Sequence, residues 1–101
     1  MAQPPTALHE GFAQQLQRIR ARDSATRRFV EYCEMEAALQ EMVVLVSRWR
    51  RHEAWKLSDE GFSQRAVGHL AGISGPRVQQ LMSSGRPDVE ALLRDTSRMA
   101  S

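Results

Sequence analysis

Apolar residues near the start of the chain recur at helical spacing. Leu8, Phe12, Leu16 and Ile19 stand four, four and three apart, which predicts one face of an amphipathic helix from Ala7 to Arg22. Asp23 and Ser24 interrupt it with side chains suited to capping a new helix, and no Pro or Gly follows until Gly61. A long helix is therefore predicted from Ala25 to Leu57. Within it Met35, Leu39, Met42, Val46 and Trp49 step by four, three, four and three, the seam of a helix that packs along its length against another. Read as a strand, the stretch would account for Val43, Val44 and Val46, but its Glu, Ala, Gln and Arg flanks favour helix. After Ser58 to Gly61 come two short helical stretches separated by Gly72. Gly85, Arg86 and Pro87 close the second, and Pro87 with Asp88 opens a last short helix over Val89, Leu92 and Leu93 that ends near Asp95. Residues 1–6 are Pro-rich and polar, and the tail from Thr96 has no periodicity; both read as loose.

The five apolar residues Met42 to Val46 turn through about 400° on a helix, so they cannot all face one side. A helix of 33 residues would be about 50 Å long, against a radius of gyration of about 13 Å for a 100-residue domain. Two arrangements answer this. A second copy of the chain covers the seam, making Met35, Leu39, Met42, Val46 and Trp49 a dimer interface, or the helix breaks near Ser47 to Glu53 and folds back within a monomer.

Composition narrows the class. The chain has 101 residues, 42% hydrophobic and 26% charged, which suits one domain with a real core. A single cysteine, Cys33, excludes an internal disulfide and suits a reducing compartment; its apolar helical neighbours predict a buried, inert thiol. The run Met42 to Val46 is the longest apolar one and is far too short to cross a bilayer. Met1 to Pro5 lacks the basic and apolar regions of a signal peptide, so a cytoplasmic protein is expected. The formal charge is only +2, but its distribution is uneven. From Gly61 to Pro87 there is no Asp or Glu, while Arg65, Arg77, Arg86 and His69 lie there. Such a segment is either a field that an anionic polymer can use or a solvated face that lacks carboxylates.

In the same segment stand Val67, Gly68, Leu70, Gly72, Ile73, Val78 and Leu81, with Ser63 and Ser74 ahead of the two helical stretches. The run from Gln64 to Met82 resembles the DNA-binding helix-turn-helix, most closely the form in the last domain of bacterial sigma factors and in small sigma-like regulators. The resemblance gives each position a physical task. Gly68 falls where the two helices approach too closely for a larger side chain. Gly72 falls at the turn, where a positive φ is required. Val67, Leu70, Ile73, Val78 and Leu81 take the inward positions, and Ser63 and Ser74 the N-caps. The resemblance further implies that the second helix, Gly75 to Ser83, lies in the major groove. Arg77, Gln79, Gln80 and Ser83 then face base edges, with Ser74, Gly75 and Pro76 in the first turn. Ser63, Gln64 and Arg65 are placed for phosphate, and Arg86 with the cluster Arg48, Arg50 and Arg51 tracks the flanking backbone, unless that cluster is a solvated face. The chain departs from many relatives at Gly75 and Pro76, where longer polar residues that read bases are usual.

Together these readings give an all-α fold: an N-terminal helix and a long central dimerisation helix (7–57), a helix-turn-helix (58–85), and a short C-terminal helix with a loose tail (86–101). The expected function is sequence-specific binding of double-stranded DNA by a homodimeric bacterial transcription regulator. The alternative is a sigma-like module that binds RNA polymerase or another regulator, for which Trp49 and Trp55 could serve as anchors, although a core claims Trp more often. No enzyme, metal site or cofactor is expected. His9, His52 and His69 are scattered, His52 and Glu53 are not followed by a second His at metal-binding spacing, and no Gly-rich phosphate loop exists. His69 reads as a polar surface residue or one facing another domain.

Overall fold

A computed structural model of the chain describes residues 6–100, all of whose regular structure is helical. The helices are α1 (Ala7–Arg20), α2 (Ala25–Asp59), α3 (Gln64–Ala71), α4 (Gly75–Met82) and α5 (Val89–Ala100). The sequence reads as one domain; by contacts the chain forms two compact units, one reaching to Gln40 and the other beginning at Glu41, inside α2. The long helix has no break at Ser47 to Glu53, so the fold-back arrangement is not adopted.

In the first unit, α1 begins at a reciprocal cap. Thr6 N–H donates to His9 Nδ1 at 3.0 Å, and His9 N–H donates to Thr6 Oγ1 at 3.4 Å. Thr6 is thus ordered by its cap rather than loose, while the other residues of the expected N-terminal tail, 1–5, lie outside the described ones. Only the C-terminal end of the predicted apolar face is covered: Ile19 is buried and Leu16 half-buried, whereas Leu8 and Phe12 are exposed. α1 stops two residues earlier than its periodicity suggests, at a polar corner. Arg22 Nε donates to Glu31 Oε2 at 3.1 Å, the Arg28 guanidinium donates to the Arg22 carbonyl, and Ser24 Oγ accepts the Arg27 N–H at 3.3 Å as the cap of α2. Cys33 lies on α2 exposed, correcting the expected buried thiol; the apolar residues beside it in sequence, Val30 and Tyr32, are themselves exposed.

The second unit holds the main core, Ala54, Val67, Val78 and Met82, with Trp55, Leu57, Ile73 and Leu81 packed on it. The side chains come from α2, α3 and α4, so three helices share one apolar centre. Leu45 on α2 and Leu92 on α5 are also buried. α5 starts at Asp88, whose Oδ1 accepts the Glu90 N–H at 3.0 Å, and runs on to Ala100. The expected loose tail from Thr96 is therefore helix. Its hold is tertiary and polar: Arg48 donates to Asp95 at 2.7 Å, and the Trp49 indole N–H donates to Thr96 Oγ1 at 2.8 Å. The hydrogen bond from Arg48 holds the Asp95 carboxyl below its usual range, with the charges of Arg48, Arg98 and Arg94 adding to it and burial opposing it. Trp49 thereby contacts α5 of its own chain.

Candidate functional site

The helix pair α3 and α4 is assembled by short-range chemistry. Ser63 in extended backbone caps α3, its Oγ accepting the Ala66 N–H at 3.1 Å, and Ser74 caps α4 in the same way for Arg77 N–H at 3.2 Å. Between them Gly72 ends α3 at φ 71°, ψ 29°, the left-handed conformation that a Cβ penalises. Gly68 is the closest approach. A Cβ built on it would lie 2.4 Å from the Ile73 carbonyl oxygen, and the Ile73 N–H already bonds the Gly68 carbonyl at 2.9 Å. Backbone meets backbone here, so no side chain can yield. Gly75 differs, since a Cβ there would sit 3.6 Å from Arg65 Cα in ordinary contact.

Val67 and Val78 are buried and Ile73 and Leu81 half-buried, as their inward assignment requires. Leu70 is not: it is 65% exposed, and Met82 takes a buried place instead. α3 is only eight residues long and turns Val67 and Gly68 to the core, which leaves Leu70 on the rim. α4 ends at Met82, one residue short of the expected end, with Ser83 as its cap and its hydroxyl donating to the Gln80 carbonyl at 2.7 Å.

Of the residues singled out for contact, Gln64, Arg65, Pro76, Arg77, Gln79, Gln80 and Ser83 are all exposed. Gly75 is half-buried, and the hydroxyls of Ser63 and Ser74 are engaged as caps. Arg50 of α2 lines the same hollow as Arg77, Gln80, Ile73 and Leu81, so the structure joins one member of the Arg48, Arg50 and Arg51 cluster to α4. Arg48 instead serves α5, and Arg51 Nε is buried without a hydrogen-bond partner. Arg86 is tied to the end of α2, paired with Asp59 and stacked 5.1 Å from the centre of the Trp55 ring. Its pKa is raised, first by the hydrogen bond to Asp59, then by that carboxylate's charge, with burial opposing. Arg86 is thus a clasp on the linker after α4, a role for which Asp59 and Trp55, distant in sequence, give no local signal.

One face of the pair is apolar. A groove of about 890 Å³ is bordered by Phe62, Ala66, Leu70, Ile73 and Pro76, with Arg65 and His69 also lining it. Phe62 is 41% exposed there. The sequence reading missed this feature because the helix-turn-helix resemblance puts Leu70 in an inward position.

On α2, the seam read from the sequence divides. Met35 and Leu39 are half-buried, Met42 and Val46 are exposed, and the buried position between them is Leu45. Val43, Val44 and Val46 are 60–65% exposed. Among the described residues no group of three His, Cys, Asp or Glu side chains is placed to hold a metal ion, and no helix is long and apolar enough to cross a membrane. Comparison with protein-family models, with curated proteins and with solved structures found no match.

Proposed function

We propose that the chain binds double-stranded DNA through α3 and α4, acting as a homodimeric transcription regulator. The observation that carries this reading is the exposed face of α4 on a rigidly set helix pair: Arg77, Gln79 and Gln80 stand free of the core in a segment with no carboxylate from Gly61 to Pro87. Gln79 and Gln80 have the paired donor and acceptor that adenine N6 and N7 require, and Arg77 the fork that suits guanine or phosphate. Arg65, exposed in the first turn of α3, is suited to a phosphate oxygen. Arg50 adds a further cation beside Arg77 and Gln80. Support for two copies comes from α2, where Val43, Val44 and Val46 present apolar surface that water disfavours.

Selection of bound sequences from random duplex DNA tests the reading, with the stoichiometry measured on the same complex. Enrichment of a defined site, bound by two chains with an affinity that falls steeply as salt rises, is the expected result. Recovery of no duplex above background would overturn it.

A further inference from the structure

We propose that the first turn of α4 reads the C5-methyl group of thymine, so that the half-site carries thymine where Pro76 meets the major groove; this rests on DNA binding by α3 and α4. Gly75 has no side chain, and the Pro76 ring carries neither donor nor acceptor, so neither side chain can hydrogen-bond a base edge. Pro76 is nevertheless exposed, at the edge of a groove walled by Phe62, Ala66 and Leu70. Ser63 and Ser74 line the groove with their hydroxyl oxygens accepting backbone N–H groups as caps, and Arg65 and His69 are its ionisable members, so the part of the wall beside Pro76 that Phe62, Ala66, Leu70 and Ile73 supply is apolar.

Charge selects the occupant. The wall sits in the carboxylate-free segment, with Arg65 lining the same groove and Arg77 following Pro76. An apolar surface with Arg65 in its lining, on a segment without carboxylates, fits a polyanion that displays an apolar group. In the major groove of duplex DNA that group is the thymine methyl, the one feature of the base edges that is neither donor nor acceptor. Contact with it would give the turn sequence preference without any polar side chain.

Replacing each thymine of a selected site in turn by deoxyuridine removes the methyl and leaves every hydrogen-bonding group in place. The expected result is a loss of about fourfold in affinity, the worth of one buried carbon, at one or two positions per half-site. In Pro76→Ser, thymine and uracil duplexes should bind alike at those positions. Unaltered binding to every uracil duplex, or the same discrimination in Pro76→Ser, would overturn the proposal while DNA binding stands, and would leave the groove to a protein partner. Failure to select any duplex would instead remove the DNA reading and this inference together, so the two failures are distinct.

Discussion

At Gly68 one hydrogen atom in place of a methyl group decides whether α3 and α4 can pair. A Cβ 2.4 Å from a backbone oxygen forces the helices apart, and Gly68→Ala should cost about 1–3 kcal/mol even though Ala is the better helix former. Gly75→Ala, whose Cβ meets Arg65 Cα at 3.6 Å, is the control and should unfold in urea much as the parent does. On the exposed face the expected effects divide by role. Gln79→Ala or Gln80→Ala should relax preference at one or two base pairs for about 1–3 kcal/mol, whereas Arg65→Ala should weaken specific and random duplexes alike and lower the salt slope by about one. The reverse pattern in a binding titration would place α3, not α4, at the bases. Residues with local physics were legible once the resemblance gave them a place: Ser63 and Ser74 act as caps and Gly72 takes a positive φ, as their chemistry suits. Leu70 was not, because in an eight-residue helix the spacing of apolar residues does not say which of them the neighbouring helices reach.

Among the elements, α5 shows what periodicity cannot convey. The stretch from Thr96 has no periodicity to predict a helix, yet Asp95 and Thr96 bind Arg48 and Trp49, 47 residues away in each case. Side-chain pairing over that separation leaves no trace in a local window. It does leave a pH dependence. The Asp95 pKa is lower folded than unfolded, so its contribution is present above the ordinary carboxylate range and is lost as pH falls through the depressed value. Protection of the α5 amides, taken relative to the intrinsic exchange rate at each pH, should therefore fall on acidification, and Asp95→Asn should show the lower protection already at neutral pH with a flatter acid limb. Identical acid limbs in the two proteins would assign the effect to other carboxylates. Trp49→Phe, which keeps the ring but drops the donor to Thr96, should loosen the same helix by about 0.5–1.5 kcal/mol.

For the whole molecule, the all-helical class and the long helix follow from spacing and from the placement of Pro and Gly, while the division at Gln40 and Glu41 does not. That boundary falls inside a continuous helix, where the backbone hydrogen bonds carry on unchanged and no turn residue marks it. The exposed valines of α2 bear on assembly. If two copies meet there, Val46→Glu should dissociate the dimer with helix content retained, since Val46 is 65% exposed and outside the core. Sedimentation of the parent as a clean monomer at micromolar concentration would remove the dimer. A two-fold dimer should also footprint an inverted repeat with half-sites about 34–36 Å apart or a multiple of that.

The two tryptophans of the second unit stand against different partners, Trp49 against Thr96 of α5 and Trp55 beneath the Arg86 guanidinium. They are consequently built-in optical reporters. Loss of the indole hydrogen bond and loss of the stacked cation change the polarity and quenching around each ring separately, so Trp55→Phe leaves Trp49 to watch α5 and Trp49→Phe leaves Trp55 to watch the α4 linker. Coincident emission midpoints in urea would mean that the C-terminal helix and the helix pair melt as one cooperative block, and an earlier midpoint for Trp49 would mean that α5 undocks first.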